Sequence, residues 1–163
     1  MPDGTRCDGP GYDEDFYAWT QYQAEVLRSM PCDDNRFDRE NVAEEIEDLG
    51  RNTREAVRSQ LRRILVHLLK RAYSPAGDPR RGWRGSIIDA RTELADRLSP
   101  TLRQELSAAL GMIYTAARKR VASDLQDYGE QQAVMLLPDA CPYSLDQILE
   151  EDWYPEPPGG EKP

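Results

Sequence analysis

The sequence predicts an all-α fold, an antiparallel bundle of three to four long helices plus a short C-terminal helix. Three observations carry that expectation. Apolar residues recur every three or four positions over long stretches, the period of a helix with one buried face. No stretch sustains the period-two alternation of a strand. Proline and glycine punctuation separates the helical stretches by short connections, as in an up-and-down bundle.

The first helix follows Asp13, with Phe16, Trp19, Tyr22, Val26 and Met30 on one face, and Pro31 ends it. Residues 32–36 are rich in Asp and Asn and form a turn. Asp38 caps the second helix, and Glu40 suits the positive end of its dipole. Val42, Ile46, Leu49, Thr53, Val57, Leu61, Ile64, Leu68 and Ala72 then keep one face for about nine turns. Gly50 interrupts this stripe at a cost of about 1 kcal/mol relative to alanine. One continuous helix is expected. The alternative is a break at residues 50–52, with Asn52 and Glu55 restarting the helix as a capping pair. Residues 64–69 are apolar nearly all round, so that section is covered on more than one side.

Residues 74–85 contain two prolines and three glycines and read as a loop. A shorter helix with Ile87, Ile88, Leu94, Ala95 and Leu98 follows. Ser99 and Pro100 are a capping serine and a first-turn proline, and they open the next helix. Its stripe is Leu102, Leu106, Leu110, Ile113, Ala117 and Val121, with Gly111 marking a close approach by another backbone. Ser144 to Gln147 matches a capping box opening a short last helix. Residues 12–153 are expected to form a single helical-bundle domain, with 1–11 and 154–163 as flexible tails.

The net charge of −9 is unevenly distributed. Residues 1–50 hold 4 basic and 14 acidic side chains, residues 51–84 hold 10 and 2, and residues 85–163 hold 7 and 14. A basic middle between acidic flanks packs against those flanks or meets a polyanion. The acidic majority repels nucleic acid at long range and disfavours it as a partner. Cys7, Cys32 and Cys141 are odd in number and form no CxxC pair, which argues against a disulfide framework or zinc knuckle and for a reducing, cytoplasmic setting. The N-terminal stretch has no apolar run resembling a signal peptide, and no apolar stretch is long enough to span a membrane.

No phosphate-cradling glycine loop, nucleotide fingerprint or serine elbow is present, so no catalytic residue is assigned and the sequence leans away from an enzyme. The candidate metal ligands are Glu44, Glu45, Asp48 and His67. Their acidic cluster offers oxygens to a hard divalent cation, although Arg51 and other arginines stand ready to pair with it. His67 is the single histidine, which excludes the usual di-iron bundle site. In a continuous helix, Asp48 and His67 lie 19 residues apart, about 28 Å, too far to share an ion. Arg51, Arg54, Arg58 and Arg62 form a polar stripe able to follow a phosphate backbone, but without interleaved aromatics for base stacking. Trp83, flanked by arginines, is a candidate binding anchor, or it pins its segment to the core.

Taken together, Asp15-Phe-Tyr-Ala-Trp19, the run from Glu40 to Arg51, His67-Leu-Leu-Lys70, Trp83 and Cys141-Pro-Tyr-Ser-Leu-Asp-Gln147 resemble the bacterial family catalogued as domain of unknown function number twenty-nine. The resemblance covers about residues 12–154 and implies a small, all-helical bacterial protein, with no activity to transfer. Arg71 departs from it, standing where an aromatic is expected, and so does the Gly-, Asp- and Pro-rich loop 74–81. The expected function is a helical protein-interaction module, with a protein partner or a second copy bound through its polar faces and the Trp83 corner. The alternatives are a metal-binding protein or metal-dependent enzyme on the acidic helix and, further, nucleic-acid binding by the arginine stripe. No cofactor is predicted, a divalent metal being the one candidate.

Overall fold

A computed structural model of the chain describes residues 8–77 and 79–159. Six helices account for all regular structure among the described residues: α1 (Phe16–Ser29), α2 (Arg39–Tyr73), α3 (Arg80–Ala95), α4 (Pro100–Asp127), α5 (Gln131–Leu136) and α6 (Leu145–Leu149). The chain is all-α, as its periodicity predicts. Internal contacts group into two compact units, residues 8–56 with Leu98–Gln104, and Val57–Arg97 with residues 105–159. The outer parts of the expected tails, 1–7 and 160–163, lie outside the described residues.

In the first unit, Asp15 begins α1. One carboxylate oxygen accepts the Ala18 N–H at 2.9 Å, and the other accepts the Thr101 N–H at 2.8 Å. Burial pushes this carboxyl up, but the backbone hydrogen bonds outweigh it and hold the group below the usual aspartate range. Pro31 keeps Met30 extended (φ −69°, ψ 135°), which ends α1. The expected α1 face needs correction: Tyr17, Thr20 and Ala24 are buried, whereas Trp19 and Tyr22 are half-buried and Met30 is exposed.

The reason is close helix packing. A Cβ on Gly50 of α2 would overlap Thr20 Oγ1 and lie 2.8 Å from Gln21 Nε2. Only small residues allow this approach. Gln21 Nε2 donates to the Glu47 carbonyl at 3.3 Å, and Arg39 donates to the Met30 carbonyl, so α1 and α2 run antiparallel. Ala43 and Gly50 therefore face α1, and Val42 (37%) and Leu49 (54%) of the expected stripe stay exposed. Phe16 and Trp19 instead pack edge-on against Tyr12, with ring centroids 5.3 and 4.9 Å away.

Asp38 caps α2 through the Asn41 N–H, and the helix passes Gly50 without a break. In the second unit the α2 stripe meets its expectation. Val57, Leu61, Ile64, Leu65, Leu68 and Leu69 are fully buried, so residues 64–69 are covered on two sides. Each such burial is worth roughly 1.5–3 kcal/mol. Hydrogen bonds from Gln60 to Glu93 and from Arg71 to the Arg80 carbonyl pair α2 with an antiparallel α3. α4 adds Leu106, Ile113, Ala117, Val121 and Leu125.

Two expectations fail here. α3 begins at Arg80 rather than after Gly85, because Pro79 already holds a helical φ of −74° at its start. Gly111 has nothing within 4 Å of an added Cβ, so the close approach occurs at Gly50 instead. The capping box at Ser144 and Gln147 forms as expected.

Candidate functional site

The second unit contains a cleft of about 410 Å³, built where three helix ends meet. Lys70 and Ser74 come from the end of α2, Trp83 from the first turns of α3, and Leu125 from the last turn of α4. The chain then reverses at Gly129 (φ 76°), a left-handed conformation that favours glycine. The Glu130 N–H returns to the Leu125 carbonyl at 2.8 Å, and the turn brings Tyr128 and Glu130 to the cleft wall.

Lys70, Ser74 and Glu130 of this cleft are already partnered. Lys70 Nζ lies 2.6 Å from Asp124 Oδ2, with side chains only 12% and 14% exposed, and Arg120 Nε reaches Asp124 Oδ1 at 3.0 Å. Burial pushes the Asp124 carboxyl up, but bonding and charge from Lys70 and Arg120 leave it below the usual range. Ser74 Oγ donates to Glu130 Oε2 at 2.8 Å and accepts the Ala76 N–H at 3.2 Å. One turn before Lys70, burial and the Lys70 and Arg63 charges depress His67 to about 4 against the pull of Asp124, so it is neutral at pH 7. Its Nδ1 is buried without a hydrogen-bond partner. A neutral imidazole beside consumed ion pairs leaves the faces of Trp83 and Tyr128 as what the cleft offers a ligand.

A second constellation holds the C-terminal segment. Arg91 is only 6% exposed. Its Nε, Nη1 and Nη2 donate to the carbonyls of Ile148, Glu151 and Trp153 at 2.9, 2.7 and 2.8 Å. Trp153 packs edge-on against Tyr143 at 5.1 Å, and the Tyr154 ring lies under three guanidinium groups. Tyr154 itself is therefore packed, at the start of the stretch expected as a tail, whereas residues 156–159 are exposed. Nearby, Tyr114 donates to the Pro138 carbonyl at 2.7 Å, and burial raises its phenol to about 12. Burial also raises the Cys141 thiol, which keeps it protonated and a poor nucleophile at neutral pH.

The structure does not gather the proposed metal ligands. Among the described residues, no group of three or more His, Cys, Asp and Glu side chains is placed to hold a metal ion. Glu44 and Glu45 are exposed, Asp48 pairs with Arg51, and the uninterrupted α2 keeps His67 19 positions away. Of the arginine stripe, Arg51 also reaches Glu47 at 3.6 Å, Arg54 lies 3.5 Å from Glu55, Arg58 has a partner of its own, and Arg62 is exposed. Trp83 lines the cleft from a helix, not a loop. Sequence reasoning missed Arg91, Tyr128, Glu130 and Tyr154. Arg91 did carry a signal, since it shares one helix face with Ile87 and Leu94. A cation there must find carbonyls or carboxylates.

Residues 12–154 match the profile of a family described as domain of unknown function DUF29. The crystal structure of an alpha-helical protein of unknown function from Rhodospirillum rubrum is similar, with a TM-score of 0.79 and 28% identity over 90% of this chain and 93% of that one. No curated protein matches the chain. Among the described residues, no helix is long and apolar enough to cross a membrane.

Proposed function

The chain belongs to the DUF29 family, and we propose that it is a protein-interaction module whose docking surface is the cleft of Trp83 and Tyr128 with the adjoining α5. One observation carries this reading. Tyr128, Met135 and Leu136 are 72%, 86% and 58% exposed, three large apolar side chains within nine residues of a segment that also walls the cleft. Such clustering on a surface marks a site that another protein covers. Tyrosine and methionine suit the role, since both are enriched at interfaces. The cleft's ion pair supports binding over chemistry, because Lys70 is already committed to Asp124. On this reading residues 12–153 act as one domain in the cytoplasm, and the partner is a protein.

The test is affinity capture from nuclease-treated bacterial lysate, run beside a Tyr128→Ser/Met135→Ser variant, with sedimentation velocity on the purified protein. A stoichiometric protein partner, or a self-association, that the variant loses supports the proposal. Capture of only nuclease-sensitive material moves the function to the arginine stripe. A monomer that carries near-stoichiometric metal and no partner overturns the interaction module.

A further inference from the structure

Around Tyr154 the fold assembles more positive charge than the packing of a tyrosine requires. The guanidinium carbons of Arg71, Arg91 and Arg84 lie 4.7, 5.2 and 5.7 Å from its ring centroid. Arg84 and Arg91 are two turns apart on one face of α3. Arg71 arrives from the end of α2, where its Nη1 donates to the Arg80 carbonyl at 3.3 Å. A single ring has two faces, so three cations crowd one another even where each gains from the aromatic.

The three arginines do different work. Arg91 is buried, and three of its nitrogens already bind backbone carbonyls of the C-terminal segment. Those bonds hold the segment that leads into Tyr154, while burial pushes the guanidinium's pKa down against the pull of Tyr154, Glu150, Asp152 and Glu151. Arg84 is exposed. Arg71 has its Nε buried with no hydrogen-bond partner. A buried donor without an acceptor is costly and asks for an oxygen.

We propose that Arg71 and Arg84, beside the Tyr154 ring whose preceding segment Arg91 holds, form a binding site for a phosphate group. The planar guanidinium fork matches phosphate oxygens in pairs, as an ammonium does not. The site is built from residues other than the Trp83 and Tyr128 cleft, and the two proposals stand or fall separately. Phosphate arriving free or as an aryl ester presents the same oxygens to the arginines, and the ester adds a ring to lie against Tyr154.

The test is a titration of the full chain with inorganic phosphate at constant ionic strength, followed by the NMR signals of the arginine Nε–H groups. Saturable shifts of the Arg71 signal are expected. Arg84→Gln, at an exposed position, should weaken binding at least about tenfold while leaving the thermal unfolding midpoint unchanged. Arg62→Gln, a charge control on α2, should leave the affinity intact. Phenyl phosphate run in parallel separates the sources: tighter binding identifies an aryl phosphate, and equal binding identifies the phosphate group alone. A shift that never saturates, or an equal loss in Arg84→Gln and Arg62→Gln, overturns the site.

Discussion

Arg91→Met removes the guanidinium that holds the C-terminal segment while keeping a straight aliphatic stem to fill its space. Three charge-assisted hydrogen bonds of 2.7–2.9 Å disappear, one buried and two part-buried. A hydrogen bond to a charged group contributes roughly 1.5–3 kcal/mol when buried, and the part-buried pair about 0.5–1.5 each. Against these stands the desolvation of a cation that burial pushes below its ordinary pKa, a cost the methionine relieves. The net loss is about 2–4 kcal/mol, since water can replace only the part-buried partners and the Ile148 carbonyl is left without a donor. For a chain of this size that lowers the unfolding midpoint by about 6–12 °C. Urea unfolding followed by circular dichroism measures it, and limited proteolysis reports whether residues 150–159 loosen. Arg91→Lys should fall between parent and Arg91→Met, because an ammonium cannot span three carbonyls at once. An Arg91→Met protein within about 0.5 kcal/mol of the parent would refute the reasoning. The segment would then be held by Tyr143, Trp153 and Ile148 packing instead.

The two helical glycines should respond in opposite directions. Gly111→Ala meets open space and should stabilise by about 0.5–1 kcal/mol, whereas Gly50→Ala collides with Thr20 and should destabilise by about 1–3 kcal/mol despite its better helix propensity. Equal effects in chemical denaturation would mean that α1 and α2 are not in close contact at Gly50. His67 provides a pH signature. Its folded pKa of about 4 lies below the unfolded 6.5, so between these values the unfolded state binds more protons. Its contribution is fully present above pH 6.5 and is lost as pH falls toward 4. Because the ring is only half-buried, the discounted size is on the order of 1–2 kcal/mol. His67→Gln should flatten the stability-versus-pH curve in that window, and an unchanged slope would show that the imidazole protonates freely in the folded protein.

The all-α class, the caps and the heavily apolar core were legible because each rests on local chemistry. Asp38, Ser99 with Pro100, and Ser144 with Gln147 all act within four residues of themselves, and each opens a helix where expected. The stripe from Val57 to Ala72 was legible because it is apolar enough to be buried whichever side its neighbours take. The α1 face and the first half of α2 were not. There the deciding factor is not hydrophobicity but size. Thr20 and Ala24 against Ala43 and Gly50 let two backbones close, and that contact outranks the larger apolar surface of Phe16, Trp19, Val42 and Leu49. A periodicity argument weighs apolar area and is blind to this choice.

The same distinction explains which functional residues were seen. Glu44, Glu45, Asp48 and the arginines 51–62 stand out in sequence because they are crowded together. Crowding along one helix, however, lets opposite charges answer each other at three- and four-residue spacing, as Arg51 does with Asp48 and Glu47. Side chains that converge from distant segments leave no such trace. Tyr154 meets Arg71, Arg84 and Arg91 across gaps of 63 to 83 residues, and Glu130 meets Ser74 across 56. What such convergences have in common is an oddity at one end: Arg91 on an apolar face, or Gly129 forcing a reversal. An aromatic at position 71 would pack against Tyr154 as an uncharged neighbour. The arginine found there instead brings an unpartnered buried donor to the Tyr154 ring, and Arg71→Phe should abolish phosphate binding while leaving the helices intact.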